Sequence, residues 1–257
     1  MILTYIAVIL AGFAAGFINT LAGSGSLVTL PLLIFLGLPA TVANGTNRVG
    51  VLFQNIVSAE SFRRKKVLDS RGGLILAIPA ILGSLVGAQI ASGLDETLMR
   101  RTIGALMVVM LFVVLLRPKK WLQGELERMV ERPSWLQLLL FFAIGVYGGF
   151  IQAGVGVFLL AGLVLGIGYD LVRANAVKVL IIFCFTVAAL LVFIRNDQVN
   201  WGYGLLLALG NAIGGWAAAK TAVAKGAKFV RWLLIAVIII SALNLLGIID
   251  WIRQLWG

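Results

Sequence analysis

Long apolar runs, separated by short polar or charged breaks, follow one another along the whole chain of 257 residues. A helix needs about 20 apolar residues to cross the roughly 30 Å hydrocarbon core of a bilayer. Most runs meet this length, but residues 25–36 and 156–168 would reach only about 20 Å as helices. The pattern predicts an all-α polytopic membrane protein with eight to ten transmembrane segments, two of them short or re-entrant. The runs lie at 2–20, 25–36, 43–61, 73–92, 99–116, 135–153, 156–168, 174–194, 202–222 and 229–249.

An internal repeat organises these runs, because the same residue types recur 131 positions later without a gap. The two short runs are the second run of each half. We therefore predict two repeats of about five helical segments each, residues 1–116 and 135–257, joined by a linker at 117–134. The matched residues are Gly23, Gly25, Gly37, Asn44, Arg64, Gly83 and Arg100, which correspond to Gly154, Gly156, Gly168, Asn175, Arg195, Gly214 and Arg231.

Lysine and arginine are distributed unevenly between matched loops. The loop at 62–72 is strongly basic, whereas its counterpart at 195–201 has Arg195 balanced by Asp197. Because basic residues collect in cytoplasmic loops, the matched loops are expected on opposite sides, so that the repeats are inverted. This orientation places the loops at 62–72 and 220–231 in the cytoplasm and both termini outside.

The linker at 117–134 is also basic and is predicted to be cytoplasmic. Its apolar residues share one helical face, with lysine and glutamate opposite, which is typical of a short amphipathic helix on the membrane surface. An ordinary charged loop is the alternative. The apolar face consists of Leu122, Leu126, Met129 and Val130.

Composition limits the chemistry that the chain can perform. Hydrophobic residues make up 61% and charged residues 12% of the chain, against about 45–50% and 25% in a soluble domain. Histidine is absent and Cys184 is the single cysteine, which excludes serine-histidine triads, histidine metal sites and disulfides. We therefore expect no enzyme, no metal and no cofactor. The net charge of +11 is interpreted as a topology signal in a lipid bilayer rather than as a nucleic-acid interface.

A glycine-rich polar turn between the first and second run of each half is the first candidate site. Glycine-interrupted segments at matching positions of inverted halves are the best sequence pointer to a transporter's binding site, although glycines also simply permit close helix packing. We expect the two turns to meet near the membrane midplane. If the hairpins cross the bilayer fully, the turns lie instead at opposite surfaces. The candidate substrate-binding residues are Asn19, Gly23, Ser24, Gly25 and Ser26 in the first half and Gln152, Gly154 and Gly156 in the second.

A polar run at the start of the third segment of each half is the second candidate site. Asn44 and Asn175 are predicted to cap these helices, and free amides at a helix N-terminus attract anions. Arg48 and Lys178 add positive charge one turn further in, unless they snorkel to the membrane interface. The candidate residues are Asn44, Thr46, Asn47 and Arg48, with Asn175 and Lys178 in the second half.

Four ordered motifs carry a resemblance to a known family: Gly23-Ser24-Gly25-Ser26, Pro31-Leu32-Leu33, Gly37-Leu38-Pro39 and the run from Ala43 to Arg48. With its two-half organisation, the chain resembles the TauE/SafE family of sulfite-exporter-like permeases over nearly its whole length. The resemblance implies a multi-pass protein of a bacterial-type plasma (inner) membrane. It also implies transport of small sulfur-containing anions such as sulfite or organosulfonates.

The function expected from these features is a permease or exporter that works by alternating access around a midplane site. No apolar run has a carboxylate near its middle, which favours passive anion movement or a backbone-held coupling ion over proton coupling. A channel-like anion pore and a non-transporting membrane scaffold or assembly subunit are the alternatives. The expected partners are a small anionic substrate and the lipid bilayer, without nucleic acid, and a homodimer is a fair expectation for a membrane transporter.

Overall fold

A computed structural model describes the chain from residue 2 to 115 and from 133 to 245. The described residues form helices and turns, without a strand. The predicted linker at 117–134 lies outside this part of the chain except for its last two residues. The helices are α1 (Ile2–Ala22), α2 (Ser26–Phe35), α3 (Ala40–Arg64), α4 (Ser70–Ser92), α5 (Glu96–Leu115), α6 (Trp135–Phe150), α7 (Val155–Ala161), α8 (Leu171–Arg195) and α9 (Trp201–Leu245).

Three of these helices, α1, α4 and α8, are long and apolar enough to cross a membrane. Helix α3 has 25 residues as well, but it carries a row of buried polar side chains. The two short second segments were predicted correctly. Helix α2 has ten residues, and α7 has seven residues that continue into a π-helical turn at Gly162–Ile167.

Helix α9 differs from the prediction, because it runs unbroken for 45 residues. The expected loop at 220–231 between two separate segments is therefore wrong. Alanine and lysine, which fill this stretch, are good helix formers, and the single glycine at 226 costs only about 1 kcal/mol relative to alanine. Charge interrupts the hydropathy pattern here without interrupting the helix.

The turns that follow matched helices have matching backbone geometry. Gly23 and Gly154 have φ angles of 75° and 76°, and Gly37 and Gly168 both have φ of 92°. This left-handed conformation favours glycine, which has no Cβ. The correspondence extends to Lys66 and Asp197, with φ of 58° and 54°. The repeat seen in the sequence is therefore present in the local structure of its turns.

The two halves interlock instead of packing as separate units. Helix α1 packs against α9, and α6 packs against α4. Helices α3 and α8, one from each half, lie against each other and each contacts a helix of the other half. Glycines permit the close approaches, since a Cβ added at Gly16 would overlap the backbone of Asn211 and one at Gly149 would overlap that of Ser84.

Hydrogen bonds between turns define two ends of this helical bundle. At one end, which we call the basic end because Arg63 to Lys66 lie there, the Tyr169 hydroxyl donates to Asp69 Oδ2 at 2.5 Å. Burial, and then this hydrogen bond, raise the pKa of Tyr169 and keep its hydroxyl protonated. At the opposite end, Gln198 Nε2 donates to the carbonyl oxygen of Ser92 at 2.9 Å.

Candidate functional site

The two glycine-rich turns lie against each other. A Cβ added at Gly23 would overlap the backbone of Gly156, and one added at Gly156 would overlap Gly23. Gly25 is equally confined, by the backbone of Ala15 and the side chain of Asn19. The prediction that the turns meet is confirmed. The alternative arrangement, with the turns at opposite surfaces of the membrane, is wrong.

Lys178 is completely buried and holds the end of α1. Its Nζ donates to the carbonyl oxygens of Asn19 at 3.0 Å and Thr20 at 2.8 Å. These carbonyls belong to the last turn of α1, where unpaired acceptors and the helix dipole concentrate negative charge. The same ammonium group donates to Asn175 Oδ1 at 2.7 Å. A cation of the second half thus neutralises a helix C-terminus of the first half.

Arg48 makes the reciprocal contact from the first half to the second. It is completely buried, and its two terminal nitrogens donate to the carbonyl oxygens of Gly148 at 3.0 Å and Gly149 at 2.6 Å, in the last turn of α6. The guanidinium carbon lies 4.7 Å from the ring centroid of Phe193. Arg48 Nε is buried and has no hydrogen-bond partner among the described residues.

The burial of both cations shows that the interface-snorkelling alternative is wrong. A snorkelling side chain keeps its charged end in water, whereas Arg48 and Lys178 point inward and end on backbone carbonyls. Among the described residues, no aspartate or glutamate is buried. Two positive charges therefore lie in the interior, and the hydrogen-bond partners described for them are neutral carbonyl and amide oxygens. Such an interior is electrostatically suited to an anion.

The predicted capping roles of Asn44 and Asn175 are wrong, because α3 and α8 begin four residues earlier. Pro39 precedes the first turn of α3, and Asp170 caps α8 by accepting from the amides of Val172 and Arg173. The predicted helix starts came from the apolar runs, which begin at residues 43 and 174. Asn44 and Asn175 were therefore placed at the helix N-termini, too late along the chain. Within the helices, Asn44 Nδ2 donates to the carbonyl oxygen of Phe150 at 2.8 Å.

Polar side chains of α3 extend the site from Arg48 toward the basic end. Gln54 Oε1 accepts from Asn19 Nδ2 at 2.6 Å, and its Nε2 donates to Thr20 Oγ1 at 2.9 Å. Thr20 is in turn 3.0 Å from Ser58 Oγ. Gln54 and Ser58 were missed in the sequence analysis. The signal was available, because Gln54 and Ser58 lie seven residues after Asn47 and fourteen after Asn44, which places them close to the same helical face as those predicted residues.

The short helix α2 is fastened to α3 by a second group of buried hydrogen bonds. Asn47 Nδ2 donates to Ser26 Oγ at 3.1 Å, and Asn47 Oδ1 accepts from Thr29 Oγ1 at 2.6 Å. Thr29 was also missed, since it lies inside an otherwise apolar run. Ser24 is buried in the same turn.

In the second half, Gln152 is the polar side chain nearest to the glycine turn. Its Nε2 donates to Thr186 Oγ1 at 2.7 Å, a residue in α8 that no sequence motif indicated. Gln152 Oε1 is buried without a hydrogen-bond partner in the part of the chain described here. Gly154, which precedes α7, gives the backbone the left-handed turn that brings Gly156 against Gly23.

Thirteen of the fourteen predicted site residues belong to this connected interior or its turns, and Thr46 does not. Its hydroxyl accepts from the amide of Asn200 at 2.8 Å, which ties α3 to a turn at the opposite end of the bundle. All fourteen are buried. The described residues contain no group of three histidine, cysteine, aspartate or glutamate side chains that could hold a metal ion.

Comparison with known proteins gives consistent matches over nearly the whole chain. The family model described as sulfite exporter TauE/SafE matches residues 8–245. The probable membrane transporter protein ORF9 of a Sinorhizobium species is 30% identical over 92% of this chain and 90% of the relative. A probable membrane transporter protein of Haemophilus influenzae is 28% identical over 86% of each chain, and YfcA of Escherichia coli K12 is 27% identical over 90% and 86%. No solved structure matches the chain.

Proposed function

The chain belongs to the TauE/SafE family of sulfite exporters, and from this premise we propose that it transports a small sulfur-containing anion such as sulfite or an organosulfonate. Its matched relatives are named as membrane transporter proteins. The observation that carries the proposal is the pair of fully buried cations beside two touching glycine turns, with no buried carboxylate among the described residues. A charge-bearing interior of this kind favours an anionic ligand.

The inverted arrangement of the two halves is part of the proposal. Tyr5, near the start of α1, lines a cavity with Asn200 and Tyr203 at the opposite end of the bundle. Near the start of α6, Gln137 Nε2 donates to the carbonyl oxygen of Gly166 at 2.7 Å, next to the turn that forms the basic end. Helices α1 and α6 therefore start from different ends and converge, as inverted repeats require.

The orientation in the membrane follows from charge. The arginines and lysines from 63 to 66 and Lys220 lie at the same end, since Arg64, Lys65 and Lys220 line one cavity there. The positive-inside rule assigns this end to the cytoplasm of a bacterial-type inner membrane and the N-terminus to the outside.

The anion is proposed to bind beside the touching glycine turns, within reach of Arg48 Nε and Gln152. The Gln152 amide can rotate by 180° and keep its bond to Thr186, because the hydroxyl can donate to Oε1 as well as accept from Nε2. The rotation would place two amide donors where the unpartnered Oε1 now lies. Both cations then favour the bound anion, while the backbone amides of the turns replace part of its hydration shell.

Alternating access is the mechanism that this closed interior supports best. Every candidate residue is buried, so the conformation described is closed to both sides. A permanently open pore would leave such residues accessible to water. Helices α1 and α6, which converge on the turns and pack against α9 and α4, are the elements that would have to move to open each side in turn.

The proposal is tested by transport in proteoliposomes containing the full chain. Uptake of labelled sulfite, sulfate and taurine is measured for the wild type and for Arg48→Gln, with Arg101→Gln as the matched control because Arg101 is exposed. We expect sulfite or taurine transport in the wild type, a loss of roughly tenfold or more in Arg48→Gln, equivalent to about 1.4 kcal/mol or more, and little change in the control. Transport of none of the three anions would contradict the substrate class. Normal transport by Arg48→Gln would place the site elsewhere.

A further inference from the structure

A cavity of about 490 Å³ opens at the basic end between the last turns of α3 and the middle of α9. It is separate from the glycine turns, and the transport proposal does not use it. The residues that line it divide into an apolar group and a polar or charged group: Ile56, Val57 and Trp216, and then Glu60, Ser61, Arg64, Lys65 and Lys220.

The apolar wall of this cavity lies on the outer surface of the bundle. Ile56 is 43% exposed and Trp216 is 50% exposed. Large apolar side chains on the outside of membrane helices face the acyl chains of lipids, and tryptophan favours the level of the headgroups. The wall is therefore suited to an acyl chain that runs alongside α3 and α9.

The charged rim is positive. Glu60 is the carboxylate among the described lining residues, and it already accepts hydrogen bonds from Arg63 and Arg64, each at 2.7 Å. Lys65 and Lys220 are both exposed beside it. Lys220 Nζ lies 5.2 Å from the centroid of the Trp216 ring, so that an ammonium group sits where the apolar wall ends.

We propose that this cavity binds an anionic phospholipid of the adjacent leaflet. Its phosphate would lie between Lys65 and Lys220, and one acyl chain would follow Ile56 and Trp216. A free phosphate ion would use the rim but leave the apolar wall uncovered, whereas a lipid satisfies both. Basic pockets between membrane helices on the cytoplasmic side are suited to such headgroups.

Native mass spectrometry of the full-length protein in detergent tests the proposal directly. Phosphatidylglycerol and phosphatidylcholine with identical acyl chains are titrated, with inorganic phosphate as a separate arm. The variant Lys65→Gln/Lys220→Gln is compared with Arg101→Gln/Arg195→Gln, which removes two exposed positive charges outside the cavity.

We expect the wild type and the control to prefer phosphatidylglycerol, and the lysine variant to bind it roughly tenfold more weakly. Equal binding of the two lipids by the wild type would overturn the proposal, as would equal weakening in both variants. Displacement of the lipid by millimolar phosphate would assign the rim to free phosphate.

A spectroscopic measurement locates the lipid independently. Bromine atoms on acyl chains quench nearby tryptophan fluorescence, so brominated phosphatidylglycerol should quench the wild type more than Trp216→Phe. Unchanged quenching in Trp216→Phe would show that the lipid lies elsewhere. Neither measurement depends on transport, so that failure here leaves the proposed function untouched.

Discussion

Arg48 and Lys178 lie in corresponding helices of the two halves and hold corresponding helix ends, yet they use their hydrogen-bond donors differently. The three donors of the Lys178 ammonium group have three oxygen acceptors within 3.0 Å. Arg48 has five donors, and its Nε remains without a partner among the described residues. The protein supplies an acceptor for every donor of Lys178, whereas Nε of Arg48 remains available to a ligand.

The difference begins in the sequence register. Lys178 corresponds to Asn47, and the residue 131 positions after Arg48 is Val179. A shift of one residue rotates a side chain by about 100° around the helix. The position equivalent to Lys178 is thus occupied by Asn47, which binds α2 through Ser26 and Thr29, and Arg48 reaches α6 from the next position along the helix. The repeat provides a symmetric scaffold, and the site built on it is asymmetric.

Replacing Lys178 by methionine should have the largest effect, and it should be on stability. The substitution removes the Lys178 donor from the carbonyl oxygens of Asn19 and Thr20. Asn19 still accepts from the amide of Gly23 at 2.8 Å, so the Thr20 carbonyl is the buried acceptor left unpaired, at a cost of about 1–3 kcal/mol. We expect a clear fall in the thermal unfolding temperature, measured by tryptophan fluorescence of purified protein in detergent. An unfolding temperature equal to that of the wild type would contradict the structural role of Lys178.

Replacing Arg48 by lysine should separate transport from stability. The ammonium group can still donate to the carbonyls of Gly148 and Gly149, but the donor at Nε and the planar fork are lost. We expect a smaller fall in unfolding temperature than for Lys178→Met, together with a loss of sulfite or taurine transport of roughly tenfold, or about 1.4 kcal/mol. Full transport activity in this variant would show that positive charge alone is sufficient at this position.

Replacing Asn44 and Asn175, the asparagines beside Arg48 and Lys178, should give the smallest difference between the two halves. Asn175 Oδ1 accepts from Lys178 at 2.7 Å, whereas Asn44 Oδ1 is 3.5 Å from Arg48 Nη2. Because a hydrogen bond to a charged group contributes about 1.5–3 kcal/mol when its geometry is good, Asn175→Ala should lower the unfolding temperature more than Asn44→Ala. The reverse order would mean that the contact of Asn44 with Phe150 outweighs both.

Helix positions and their repetition were accessible from the sequence because they depend on local physics. Apolar length marked α1, α4 and α8. The short segments α2 and α7 were recognised because the runs at 25–36 and 156–168 are too short to cross a bilayer. Glycines at 23 and 154 indicated turns, since left-handed backbone conformations favour glycine. The exception is α9, where charge was mistaken for a break in the helix.

The sequence by itself determined that the chain is an all-helical membrane protein with two matching halves, two glycine turns and two cations among its site candidates. Only the tertiary structure decided which helix end each cation binds, and that Gln54, Ser58 and Thr186 belong to the interior. It also decided that Asn44 and Asn175 lie inside their helices. The physical reason is that hydrophobic length and backbone preference act within a segment. A buried cation is instead stabilised by whichever helix end packs beside it, and that neighbour lies a hundred residues or more away along the chain.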